Sequence, residues 1–174
     1  GKPGYEICRM GIGRTYQIVK PFSNLTVLDN TVVGALLLDS NVKRAREKAR
    51  EVVHTVGLDY RMDVVGADLN LPELKRLELA RALATQPQLL LLDEVMAGLN
   101  PADSDKMIEL VREINQSGVT IIIIEHVMKA IMRLSHRIYV LNQGKLISQG
   151  TPEEVSNDPE VIRSYFGEKR YAKN

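Results

Sequence analysis

The chain predicts an α/β fold in which helices cover a parallel sheet. Two uniform apolar runs of strand length, Leu89 to Leu92 and Ile121 to Ile124, are greasy enough to be buried on both faces. Between them Met107, Leu110, Val111 and Ile114 recur at i, i+3, i+4 and i+7, so the order is strand, helix, strand, as a parallel crossover requires. Each strand ends in polar residues, Asp93-Glu94 and Glu125-His126. Ligands of such sheets bind at the carboxyl ends of the strands, so two polar clusters are expected on one edge.

The remaining elements follow in order. Residues 1 to 25 are rich in Gly and Pro, and "GIGRTYQIVKPF" reads as a short extended segment leading into a loop at Lys20-Pro21. Thr26 with Asp29 three residues on resembles a capping box that opens a helix through about Leu37. A second helix follows Ser40 or Asn41. Ala45, Ala49, Val52, Val53 and Val56 share one of its faces, basic residues dominate the rest, and Gly57 supplies a C-cap. A third helix runs from Leu71 to about Thr85, and Pro101 opens the helix between the two strands. "RIYVLNQGKLISQG" reads as a hairpin turning at Asn142-Gln143-Gly144, and terminal helices begin at Thr151.

Composition narrows the function classes. At 174 residues with 44% hydrophobic content, the chain fits one ordinary domain and excludes wholesale disorder. The formal net charge of +1 supplies no global field for nucleic acid or anionic membrane, so charged ligands must be bound locally. Cys8, the single cysteine, makes no internal disulfide and points to a reducing compartment. No apolar run approaches the ~20 residues of a membrane span, and a soluble chain is expected.

"PQLLLLDEVMAGLNP" raises the central chemical question, because paired acids at the end of a buried strand need a partner such as a metal ion. Neighbours on a strand point to opposite faces, so Asp93 and Glu94 divide the labour rather than share a proton. Asp93 suits Mg²⁺, a hard cation that takes oxygen ligands, while Glu94 is placed to orient or deprotonate water. His126 then stands where charge develops on a transferred phosphoryl group.

This arrangement resembles the ATP-binding subunits of ABC transporters over nearly the whole chain. Residues 88 to 94 resemble the Walker B strand and catalytic glutamate, Ala97-Gly98-Leu99-Asn100 the D-loop, His126 the switch histidine, and Gln17 in "GRTYQ" the glutamine that reaches metal and water. "GIGRTYQIVKPFSNLTVLDN", "ARALATQPQLLLLDEVMAGLNP" and "GTPEEVSNDPEVIRSYFGE" are similar to the branched-chain amino acid importer type. The resemblance implies a P-loop NTPase-like fold divided into a glutamine loop and helical subdomain (18–68), a signature helix, Walker B, D-loop, switch histidine and sheet core (69–150), and C-terminal helices (151–174). It further implies ATP and Mg²⁺ as cofactors, with Glu94, His126 and Gln17 catalytic and Gln17 and Asp93 serving the metal. The implied setting is the cytoplasmic face of the membrane, with permease subunits, a second ATP-binding subunit and, indirectly, a solute-binding protein as partners, and no nucleic acid.

Two departures from the family pattern shape the expectations. Leu69-Asn70-Leu71-Pro72-Glu73 stands on the signature Leu-Ser-Gly-Gly-Gln, where Pro72 lacks an N–H, Leu71 adds bulk and Glu73 would repel a phosphate. No Gly-x-x-x-x-Gly-Lys-Ser/Thr string occurs, since Gly1-Lys2 precedes Pro3 and Gly144-Lys145 lies in the hairpin. The chain is therefore expected to lack the N-terminal, P-loop-bearing part of the domain, along with the central strand beside Asp93, and to be inactive alone. Two alternatives accompany this reading. One is a non-catalytic subunit that docks on permease through residues 18 to 40. The other is a DNA-associated ABC ATPase, which the absence of a long coiled coil disfavours.

Overall fold

The computed structural model describes residues 1–166, so the part of the expected 151–174 helices beyond 166, with Gly167 and Glu168 of the quoted segment, lies outside the described residues. The chain divides into two units, the first ending at His126 and the second beginning at Val127.

In the first unit, α1 (Gly4–Arg9) precedes β1 (Ile12–Arg14). Only an extended segment is expected from the sequence there; the short helix α1 follows Pro3 as its N-cap and buries none of its side chains. Then come α2 (Val27–Ala35), α3 (Val42–Thr55), α4 (Leu71–Leu83), β2 (Leu89–Asp93), α5 (Pro101–Gln116) and β3 (Thr120–Ile124). The three strands form one parallel sheet in the order β1-β2-β3, with Ile12 opposite Leu89 and Leu89 opposite Thr120. Parallel pairing on both sides makes β2 the central strand. This corrects the expectation that Asp93's strand is poorly paired for want of a neighbour.

The burial of the two apolar strands differs from what their sequences imply. Leu90 and Leu92 are fully buried, as a central strand requires, but Ile122 and Ile124 on β3 are 55% and 63% exposed. An edge strand is stapled by one neighbour only, and the face carrying Thr120, Ile122 and Ile124 is left open.

The helical segment forms as its caps dictate. The Thr26 hydroxyl accepts from the Asp29 N–H at 3.0 Å to start α2, and the Asn41 side chain accepts from the Lys43 and Arg44 N–H groups to start α3. Leu28, Val32 and Ala35 of α2 pack on Ala45 and Ala49 of α3 and on Ala84, with Met62 at the edge. Burying that stripe, not propensity alone, holds a helix as basic as α3 in place. Gly34 permits the close approach of α2 to α4, because a Cβ there would lie 2.5 Å from the Arg81 carbonyl oxygen.

The second unit holds α6 (Met128–Leu134), the antiparallel pair β4 (Ile138–Asn142) and β5 (Lys145–Gly150), and the short helices α7 (Pro152–Ser156) and α8 (Pro159–Val161), followed by a π-turn through Phe166. The hairpin turns at Gln143-Gly144, both with positive φ. Its small core comprises Val140, Val155 and Val161, with Ile138 and Ile147 against them.

Candidate functional site

The carboxyl end of β2 gathers most of the predicted residues. Asp93 closes the strand, with its N–H donating to the Thr15 hydroxyl at 3.2 Å and its Oδ2 accepting from Arg14 Nη2 at 3.2 Å. Glu94 follows with φ of 48°, a left-handed conformation that costs a non-glycine residue roughly 1–3 kcal/mol. Its neighbours hold it there: the Glu94 N–H donates to the Ile124 carbonyl at 2.9 Å, and its own carbonyl accepts from the Ala97 N–H at 3.1 Å. The abrupt turn carries the Glu94 side chain off the strand.

Gln17 and His126 arrive at that carboxylate from two other segments. Gln17 Nε2 donates to Glu94 Oε2 at 2.6 Å, across 77 residues of sequence. His126 Nδ1 lies 3.8 Å from Glu94 Oε1, an ion pair when the imidazole is protonated and too long for a hydrogen bond. The His126 side chain is 64% exposed against 27% for Glu94, so the cluster opens to solvent on the histidine side.

These groups suit a hard cation shared with phosphate. Mg²⁺ is held by one or two carboxylates together with substrate oxygens and water, and does not require a protein cage. Among the described residues, no three His, Cys, Asp or Glu side chains cluster to make such a cage. Asp93 offers a carboxylate at the strand end. Gln17, donating through its amide nitrogen, leaves its amide oxygen free for a cation.

The loop after Glu94 is equally constrained. The Leu99 N–H donates to the Met96 carbonyl, and the Met96 N–H donates to Glu125 Oε1 at 2.8 Å. Glu125 Oε2 is buried without a hydrogen-bond partner. Gly98 has φ of 79°, a conformation that favours glycine, and a Cβ there would lie 2.8 Å from Leu71 Cδ2, the tip of a side chain that would have to turn aside. Asn100 ends the loop as the cap of α5, accepting from the Asp103 N–H at 2.9 Å.

The signature-position residues are arranged otherwise than charge alone would suggest. Asn70 and Glu73 form a full capping box at the start of α4, with Pro72 in its first turn. Buried Glu73 accepts from Arg61 Nε at 2.8 Å, from the Tyr60 hydroxyl at 3.1 Å and from the Asn70 N–H at 3.0 Å. Burial pushes its carboxyl up, but those three donors outweigh burial and hold its pKa below the ordinary glutamate value. The expected repulsion of a phosphate by Glu73 is therefore met by an arginine already bound to it. Leu69 is buried, while Leu71 is 40% exposed and touches the Gly98 position.

Several residues of the site were not legible. Arg14 and Thr15 have no chemical signature in the sequence, and neither do Lys75 and Glu78. Both are in fact buried, with Glu78 Oε1 accepting from the Tyr16 N–H at 2.5 Å.

Fold and site together define a class, a parallel-sheet ATPase domain with a helical subdomain inserted between β1 and β2. An ABC transporter family model matches residues 3–97, and a second model, described as a branched-chain amino acid ATP-binding cassette transporter, matches residues 145–170. The high-affinity branched-chain amino acid transport ATP-binding protein LivG of Salmonella typhimurium is 41% identical over 97% of this chain and 72% of its own length. The corresponding BraF protein of Pseudomonas aeruginosa is 34% identical over the same shares. A solved ATP-binding cassette of an ABC transporter in its ADP conformation superposes with a TM-score of 0.81 at 29% identity, covering 96% of this chain and 72% of that one. A nucleotide-free ATP-binding cassette gives 0.82 at 29% identity, over 96% and 73%.

The chain belongs to the ATP-binding subunits of ABC transporters, a family of ATPases that use ATP with Mg²⁺. The expectation of a domain whose N-terminal portion is absent is overturned. The family match begins at residue 3 and runs through β1, the glutamine segment, α4 and β2, so the N-terminal core is present. Lack of one consensus string in the sequence does not entail lack of a part of the domain.

Proposed function

We propose that the chain hydrolyses ATP to drive import of branched-chain amino acids. The observation that carries this reading is the Glu94 carboxylate, held between Gln17 at 2.6 Å and His126 at 3.8 Å at the end of the central strand. Glu94 polarises a water and takes its proton as the water oxygen bonds to the γ-phosphorus. The bond from that phosphorus to the β,γ-bridging oxygen breaks, giving ADP and inorganic phosphate. His126 donates to an oxygen of the phosphoryl group in flight, where charge accumulates. Gln17 orients both the Glu94 carboxylate and the water. When bound, Mg²⁺ neutralises phosphate charge, and Asp93 and Gln17 are the residues that would hold it.

Within this reading, Asn70 to Glu73 and Ala97 to Asn100 address nucleotide held by a second ATP-binding subunit. The exposed Leu71, rather than the engaged Glu73 carboxylate, makes that approach. Residues 18 to 40 meet the permease subunits, supported by exposed Ile18 (70%), Phe22 and Leu38. A solute-binding protein selects the amino acid. No described helix is long and apolar enough to cross a membrane, which fits a subunit attached peripherally at the cytoplasmic face through its permeases. Nucleic acid is not among the partners, in keeping with a net charge of +1. The divisions 18–68, 69–150 and 151–174 are functional regions of the same proposal.

Glu94→Gln tests the reading. Loss of a general base costs about 10²–10⁴-fold, so turnover is expected to fall at least about a hundredfold while ATP affinity is kept. Turnover equal to that of the unaltered chain would remove Glu94 from the chemistry.

A further inference from the structure

Lys75 sits in the second turn of α4, 4% exposed, where a lysine is seldom found without a reason. Its hydrogen bonds go to two main-chain carbonyls rather than to a carboxylate: Nζ donates to the Gln17 oxygen at 3.2 Å and to the Glu94 oxygen at 3.2 Å. Those are the two residues whose side chains meet at 2.6 Å. The same helix takes hold of the segment a second time, since Glu78 accepts the Tyr16 N–H one residue before Gln17. Glu94 also stands in a left-handed conformation that only its surroundings maintain.

We propose that Lys75 is a positioning residue for hydrolysis, its buried ammonium fixing Gln17 and Glu94 against each other through their carbonyl oxygens. An ammonium has three donors and no acceptor, so one group can hold two carbonyls that no apolar side chain could serve. The main chains of the loop after β1 and of the turn after β2 are thereby tied to α4. A shift of α4 then moves both members of the Gln17–Glu94 pair together. This inference rests on the proposed roles of Glu94 and Gln17 for its kinetic consequence, but not for the clamp itself.

The test uses the full chain with Lys75→Met, which keeps length and loses the donors, and Lys75→Arg, which keeps them. In steady-state ATP hydrolysis, Lys75→Met is expected to lower kcat about tenfold or more with KM for ATP changed less than about threefold, as misplacement of catalytic groups does. Lys75→Arg is expected to restore most of that loss. Lys75→Met added to Gln17→Ala should cost little beyond Gln17→Ala alone, because both act on one pair. An unchanged kcat in Lys75→Met, or losses that multiply in the double variant, would overturn the positioning role.

Hydrogen exchange on the nucleotide-free chain decides the clamp independently of activity. Faster exchange in residues 14–18 and 93–97 together, with α4 still protected, is the expected result for Lys75→Met. Faster exchange in α4 alone would mean that Lys75 only packs the helix. If the unaltered chain hydrolyses no ATP, the functional reading fails while the exchange result still judges Lys75.

Discussion

Helices α3 and α4 are nearly equal in length, at 14 and 13 residues, and both are rich in charge, yet they place that charge in opposite surroundings. On α3 the basic residues are largely exposed, and their pairs are surface pairs, such as Arg46 with Asp29 at 2.7 Å. On α4, Glu73, Lys75 and Glu78 are all buried, and each is satisfied by groups from outside the helix. A helix lying on a small subdomain needs one apolar stripe and can leave the rest to water. One wedged between that subdomain and the strand ends keeps far less of its surface wet, so the charges it buries must find partners. Buried charge on α4 marks the place where the scaffold reaches the candidate site.

That contrast can be broken most severely at Leu77, fully buried on α4. Leu77→Ala is expected to cost about 2–5 kcal/mol, read from the urea midpoint at constant slope. A loss below 1 kcal/mol would mean that α4 is not the anchored element described. Asn70→Ala removes the bond that the Asn70 side chain accepts from the Glu73 N–H, while its own backbone N–H still donates to Glu73, and is expected to cost about 1 kcal/mol in the same assay.

Glu78 sharpens the comparison through pH. Burial raises its pKa above the ordinary glutamate value, against the Tyr16 N–H and nearby Lys75 and Arg81, which lower it. A raised folded pKa contributes stability at low pH that is lost as pH rises through that value. Glu78→Gln keeps an acceptor for the Tyr16 N–H and removes the titration. Its melting temperature relative to the unaltered chain should therefore climb as pH rises from the ordinary glutamate value through the raised one. A parallel pair of curves would show that Glu78 does not titrate in a buried setting. The smallest effect belongs to α3, where Arg46→Ala should change stability by less than about 1 kcal/mol, a loss that shrinks further in high salt.

Much of the framework was readable. The caps at Thr26, Asn41 and Asn70, the start of α5 at Pro101, the apolar stripe of α3, the central strand with its terminal acids and the hairpin at Gln143-Gly144 are local features, and local physics writes them into the sequence. Resemblance added Gln17, whose meaning depends on a partner 77 residues away. The expected gap beside Asp93's strand is not there, because the short extended segment at Ile12–Arg14 is itself the parallel neighbour of β2, a pairing across more than 70 residues that no local pattern records. β3 is bare on one face although its sequence suggests burial on both, since "IIII" looks the same whether its second face is covered or bare.

By itself the sequence determined the α/β class, the helices with their caps and the acids at the end of β2, because each depends on residues close together in the chain. Tertiary structure alone decided that Glu73 is closed by Arg61 and Tyr60, that Arg14 and Thr15 attend Asp93, and that Lys75 spans Gln17 and Glu94. The physical reason is burial. A charged side chain in water needs no particular partner, whereas one removed from water must be met by specific donors or acceptors, and only the packing of distant segments determines which they are.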